Sequence, residues 1–170
     1  MVDTLTKRLA TEHLIGIKRK KIGFLGGPAD DLEVQQRQAG YESAMKEAGR
    51  TIEPSLMDYG NFSNTSGAET MKRLLENAPD IDAVFVNSDL MAIAAMDEIR
   101  EHGRRVPEDV AVVGYDDLSI AEHSNPPLTT IRQNVPLAGK LLAQNLIDCL
   151  QTGMVTNVSI PVELIVRKSA

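Results

Sequence analysis

A chain of 170 residues is near the size of one ordinary domain, and its 42% hydrophobic and 25% charged residues give the balance of a folded protein rather than a disordered one. The net charge of −6 opposes non-specific attraction to nucleic acid or to an anionic membrane, and no apolar run reaches the ~18–20 residues that span a bilayer. The lone Cys149 cannot form an intrachain disulfide, and the first residues lack the apolar core of a secretion signal, so a soluble, cytoplasmic protein is expected.

Residues 4–17 have helical spacing of Leu5, Leu9, Ala10, Leu14 and Ile17. The basic run Lys18–Lys21 could meet nucleic acid, but its position just before a strand favours a solvated connector. Lys21 to Leu25 is a short continuous apolar run, the pattern of a strand covered on both faces. A helix is predicted over 31–48, with Val34, Tyr41, Met45 and Ala48 on one face and Gly49 as its stop. Ile52 to Tyr59 is a weaker strand that Pro54 confines to an edge or a strand start. The next helix, 64–78, carries Ala68, Met71, Leu75 and Ala78, and Ser66 and Glu69 have capping-box spacing at its start.

Ala83 to Val86 is a second continuous run, followed by a helix with Asp89 as N-cap, Ile93, Met96 and Ile99 on its face, and Gly103 at its end. Pro107-Glu108-Asp109 turns the chain into a third run, Val110 to Tyr115. A last helix is expected over 135–152, with Pro136 at its first position and Gly153 as its stop. Residues 158–166 then alternate as a half-buried strand that Pro161 makes an edge or irregular one. Strands alternating with helices, both faces buried, predict an α/β fold with a doubly wound parallel sheet.

In open α/β sheets ligands bind beyond the carboxyl ends of the strands. The residues there are Gly26-Gly27-Pro28, then Gly60-Asn61-Phe62, Asn87-Ser88-Asp89 and Asp116-Asp117, with Arg37 in the helix after the first strand. One guanidinium, one aromatic, a short polar group and carboxylates on one rim suit a polyhydroxylated ligand. Arg37 falls on the apolar face of its helix, where a buried fork must be paired. Contact with a ligand and a structural ion pair with Asp116 or another rim carboxylate both satisfy that need. Phe62 either stacks on a ligand or staples the following helix, Ser88 contacts ligand or shares a cap, and Asp116-Asp117 present a carboxylate or simply start a turn.

Enzyme signatures are missing. There is no phosphate-binding GxxxxGK[ST] loop, no GxGxxG and no GxSxG elbow, and no receiver-type acid pair follows the first strand. His13, His102 and His123 lack metal-ligand spacing and read as solvent-exposed. No catalytic residue, metal or cofactor is expected. The rivals are an acid/base or metal-dependent enzyme built on Asp89 and Asp116, and a purely structural interaction module.

The segments KKIGFLGGP (20–28), RQAGYESAMKEAG (37–49), FVNSDLMAIAAMDEIREHG (85–103), VPEDVAVVGYDD (106–117) and PPLTTIRQNVPLAGKLLAQNL (126–146) resemble the lactose-repressor/galactose-repressor (LacI/GalR) family of bacterial transcription regulators. Members join a helix-turn-helix headpiece and hinge helix to a two-lobed effector core like that of periplasmic sugar-binding proteins. The resemblance implies three parts. Residues 1–19 lead in from an N-terminal lobe, 20–131 form the C-terminal effector-binding lobe, and 132–170 return to the other lobe.

It further implies ligand contacts from Arg37, Phe62, Ser88 and Asp116, with Arg37 and Asp116 orienting a sugar or nucleoside-like effector and Phe62 stacking on it. A homodimer is implied, as is DNA contact only through a headpiece that these residues do not include, and no membrane partner. A periplasmic transport protein of similar lobe fold, and a fragment that no longer binds effector, are the alternatives. Because headpiece and most of the N-terminal lobe are absent from the matching segments, the apolar faces of 4–17, 135–152 and 158–166 are expected to fold onto the C-terminal lobe in a way foreign to the family, or to pair between chains.

Overall fold

The computed structural model describes residues 8–170. A short helix α1 (Leu9–Gly16) precedes β1 (Ile22–Gly26), α2 (Leu32–Glu47), a 3-10 turn (Pro54–Leu56), β2 (Met57–Tyr59), α3 (Asn64–Asn77), β3 (Ala83–Val86) and α4 (Asp89–Glu101). Then come β4 (Ala111–Asp116), α5 (Ser119–His123), β5 (Thr129–Gln133), α6 (Val135–Thr152) and β6 (Val162–Ile165). The strands lie in the order β2-β1-β3-β4-β5-β6. The first five are parallel, as the strand-helix alternation requires, and β6 is antiparallel to β5 at the edge.

The continuous apolar runs are divided between two cores by the period of two along a strand. Ile22, Phe24, Ala83, Phe85, Ala111, Val113 and Tyr115 face α1 and α2, where Ala10, Leu14, Tyr41 and Met45 cover them. Leu25, Val84, Val86 and Val112 face α3 and α4, under Met71, Leu74, Met91 and Met96. All three tyrosines and two of the three phenylalanines gather on the α2 side, with Phe24 5.4 Å from Tyr41 and 5.8 Å from Phe85, and Phe85 6.4 Å from Tyr115. The buried Tyr41 hydroxyl donates to Ile22 O at 2.8 Å, so the ring is buried without leaving its polar tip unpaired.

Several local expectations need correction. The N-cap of α3 is Ser63, whose extended backbone lets its Oγ accept from Ser66 N, and Ser66 lies inside the helix. The N-cap of α4 is Ser88, not Asp89: Ser88 has the extended φ and ψ of a cap and accepts from Met91 N, while Asp89 is already helical. Ala48, expected on the buried face of α2, is exposed, and Pro136 follows Val135 rather than opening α6. His13 is half-buried with its Nε2 enclosed, whereas His102 and His123 are exposed. The predicted strand 158–166 forms only over Val162–Ile165, because Val162 pairs with Gln133, the last residue of β5, and earlier residues have no neighbour to pair with.

Of the helix expected at 4–17, Leu9–Gly16 is helical and residues 1–7 lie outside the described residues. The flanking segments are not displaced. Ala10 and Leu14 of α1 are part of the core, β6 extends the sheet, and Ser169 is wholly buried, exchanging hydrogen bonds with Val112 and accepting from Thr129 N. Only α6 stands apart: none of its residues is buried, and Leu142, Leu146 and Leu150 on one stripe are 73, 61 and 79% exposed. A stripe this apolar is expected to bind a hydrophobe-sensing dye, and Leu142→Gln, Leu146→Gln and Leu150→Gln together to remove most of that fluorescence. Unchanged fluorescence would move the exposed apolar surface elsewhere.

Candidate functional site

The carboxyl ends of β1 to β4 form one rim, and the connections there bring the predicted residues together. Asp31 caps α2 through hydrogen bonds from Glu33 N and Val34 N, which sets the rotation of that helix and turns Arg37 inward. Arg37 is 8% exposed, its Nη1 donates to Asn87 O at 3.0 Å, and its guanidinium lies 3.8 Å above the Tyr115 ring. A desolvated stack of this kind is worth about 2 kcal/mol. No salt bridge to Arg37 is found among the described residues, so the structural ion pair weighed for it is not made. Among the described residues its Nε has no partner, and neither has the side chain of the wholly buried Asn87 beside it.

Phe62 is half-buried with φ of 65°, and the far end of its ring lies against Gly27, where a Cβ would fall 2.2 Å from the ring. Gly27 is required by that close approach. The ring also packs on the α3–α4 core, so it serves as a wall between the exits of β1 and β2. Ser88 is 6% exposed, and its Oγ is engaged in the α4 cap. Asp116 ends β4 with φ of 114°, and Asp117 follows with φ of 56°, a pair of residues in a region that side chains disfavour.

Asp116 accepts from Gln133 Nε2 at 2.7 Å. Burial raises the pKa of Asp116, while the Gln133 hydrogen bond and the Arg37 charge oppose that rise. Burial also pushes on Asp117, but the hydrogen bonds of Arg167 at 2.7 Å and Arg132 at 2.6 Å prevail and hold its pKa below the ordinary carboxylate value. The two adjacent acids therefore differ in role: Asp117 is neutralised by arginines, and Asp116 keeps one oxygen for the rim.

Sequence reasoning missed Tyr115 and Gln133 as parts of this site, and placed Asn87 on the rim without giving it a role. Tyr115 reads as one more apolar strand residue, and Gln133 lies at a strand end that faces Asp116 only through strand pairing, Asp116 opposite Arg132. A cavity of about 500 Å3 adjoins the rim at the crossover from β5 to α6, lined by Arg132, Gln133, Asn134, Pro136, Pro161, Val162 and Glu163. Among the described residues no cluster of His, Cys, Asp and Glu could hold a metal ion, and no helix is long and apolar enough to cross a membrane.

Residues 11–170 match the family described as a periplasmic binding protein-like domain. The HTH-type transcriptional regulator CelR of Thermobifida fusca is 45% identical over 160 residues, 94% of this chain and 46% of the relative. The chain belongs to the lactose-repressor/galactose-repressor family. The HTH-type transcriptional repressor PurR of Haemophilus influenzae (strain PittEE) is 38% identical over 95% of this chain and 49% of its own length.

Among solved structures of this family, a CelR–cellobiose complex superposes with a TM-score of 0.94 at 41% identity, covering 99% of this chain and 53% of the other. A dimeric lac repressor gives 0.91 at 33% identity, covering 98% and 61%. The chain spans about half the length of the curated relatives it matches. Superposition over nearly the whole chain means that α1, α6 and β6 sit as they do in these relatives. The expected arrangement foreign to the family is thus overturned, because the sheet edge at β5 and the groove beside β3 and β4 lie within this lobe and receive β6 and α1 directly.

Proposed function

We propose that this chain is the effector-sensing lobe of a cytoplasmic transcription regulator, non-catalytic, and that it orients a sugar with Arg37 and Asp116 while Phe62 forms a stacking wall and Ser88 a minor polar contact. The lobe is built on residues 20–131, with α1 and β6 packed to it, and α6 with residues 153–161 faces a second lobe. The dimer and the DNA contact of such a regulator reside outside this rim. The observation that carries the reading is the state of Arg37, a buried guanidinium with no carboxylate partner among the described residues and an unsatisfied Nε, beside a carboxylate with a free oxygen.

A charged fork in that state is costly unless a polar ligand completes it. A hydroxyl-rich molecule does so, accepting from the guanidinium and donating to Asp116. The solved CelR–cellobiose complex, 41% identical to this chain, makes a β-linked disaccharide the first candidate. Clamping between lobes would then shift the regulator between two states, which requires different contacts in each.

A thermal-shift screen of the chain against cellobiose, other disaccharides, sugar phosphates and purines tests this. Cellobiose at millimolar concentration is expected to raise Tm by a few degrees, and Asp116→Asn to remove most of the rise. Absence of a shift with every compound would overturn the sensing role of this lobe.

A further inference from the structure

Asp89 is wholly buried, yet neither of its carboxylate oxygens serves its own helix. Oδ2 accepts from Leu118 N at 2.7 Å, and Oδ1 accepts from Thr130 Oγ1 at 2.5 Å. One side chain therefore joins three segments: the start of α4, the turn after β4 and the start of β5. Room for it is made by Gly114, where a Cβ would fall 2.5 Å from Asp89 Oδ1. Such an arrangement is specific, since a carboxylate is buried only where it is fully hydrogen-bonded.

The turn it grips is the disfavoured one. Asp116 and Asp117 both have positive φ, a geometry that persists only where the surroundings over-determine it. Asp117 is held through its side chain by Arg132, itself 48% exposed, and by Arg167, and Asp116 by Gln133. Asp89 grips the main chain itself, at the residue immediately after the two left-handed ones. It also directly follows Ser88. The distance between Ser88 and Asp116, on the exits of two adjacent strands, is thereby set by one buried carboxylate.

We propose that Asp89 is the positioning residue of the effector site, locking the turn 116–118 to the start of α4 so that Asp116 is presented to the ligand in one geometry. This rests on the sensing role given to Asp116 above. Asp89 touches no ligand in this account; it acts through Leu118 N.

The test uses the full chain in four forms: wild type, Asp89→Ala, Asp89→Asn, and Ile99→Val as a core truncation elsewhere on α4. NMR reads exchange of the Leu118 amide and the shifts of the Gln133 side-chain amide protons, which report where Asp116 lies. In Asp89→Ala, Leu118 is expected to exchange at least tenfold faster and the Gln133 signals to move. Asp89→Asn, which keeps an acceptor for Leu118 N, is expected to restore both, and Ile99→Val to leave both unchanged.

Calorimetric titration with cellobiose then reads the consequence, with affinity lost at least tenfold in Asp89→Ala alone. If Leu118 stays protected in Asp89→Ala, or if Ile99→Val loosens the turn equally, the proposal fails. Should wild type not bind cellobiose, the sensing role fails instead, and the exchange data still decide whether Asp89 sets the turn.

Discussion

Arg37→Ala is expected to weaken sugar binding by roughly 30–150-fold, about 2–3 kcal/mol, the range for losing a charge-assisted hydrogen bond from a desolvated site. The guanidinium is already held: Nη1 is committed to Asn87 O and the plane lies on Tyr115, so little side-chain freedom is lost when a ligand arrives. The same pre-organisation predicts that Arg37→Lys fails to rescue. An ammonium has no planar fork to lie on Tyr115 while donating at two angles.

Stability falls as well, because Asn87 O loses its donor and the Tyr115 ring its cover, together about 1–3 kcal/mol. Calorimetric titration of wild type, Arg37→Ala and Arg37→Lys with the ligand found by screening measures the first effect, and urea unfolding of the same three measures the second. An alanine variant that unfolds earlier but binds with unchanged affinity would reduce Arg37 to a structural role.

The second large effect is a pH dependence assigned to one carboxyl group. Burial raises the Asp89 pKa to about 6, the Thr130 and Leu118 hydrogen bonds work against that rise, and the neighbouring Asp116 and Asp117 charges add to it. A carboxyl group that binds its proton more tightly when folded contributes stability in full below its unfolded pKa of ~4. That contribution is lost as pH rises through about 6. A rise of about two units corresponds to about 3 kcal/mol.

Asparagine at this position carries no charge, accepts from Leu118 N and donates to Thr130 Oγ1. Between pH 7.5 and pH 4 the wild type should therefore gain about 2 kcal/mol relative to Asp89→Asn, whatever the rest of the protein does. Urea midpoints for both proteins at the two pH values give this difference directly. Parallel pH profiles would mean that Asp89 titrates at an ordinary pKa in the folded chain.

The limits of legibility differ between fold and site. Lys21 to Leu25, Ala83 to Val86 and Val110 to Tyr115 are legible as buried strands because a strand covered on both faces must be apolar at every position. Gly49 and Gly153 are legible as helix stops, and both adopt the left-handed φ, 67° and 71°, that a stop uses. Arg37 stands out for a similar reason: a guanidinium on the apolar face of a helix conflicts with its surroundings unless it has a purpose.

The caps were ambiguous where several hydroxyl, amide or carboxylate residues adjoin, as in Ser63-Asn64-Thr65-Ser66 and Ser88-Asp89, since each can cap and only the backbone dihedrals decide among them. The sequence by itself thus determined the strand-helix alternation, the rim on which Arg37, Phe62, Ser88 and Asp116 converge, and the family. Tertiary structure alone decided that β6 runs antiparallel at the edge, that Arg37 lies on Tyr115 instead of pairing with Asp116, and that Asp89 reaches Leu118 and Thr130, 29 and 41 residues away. Periodicity and caps are set within a few residues of chain, whereas the partner of a buried polar group is chosen by which strands the crossovers bring side by side.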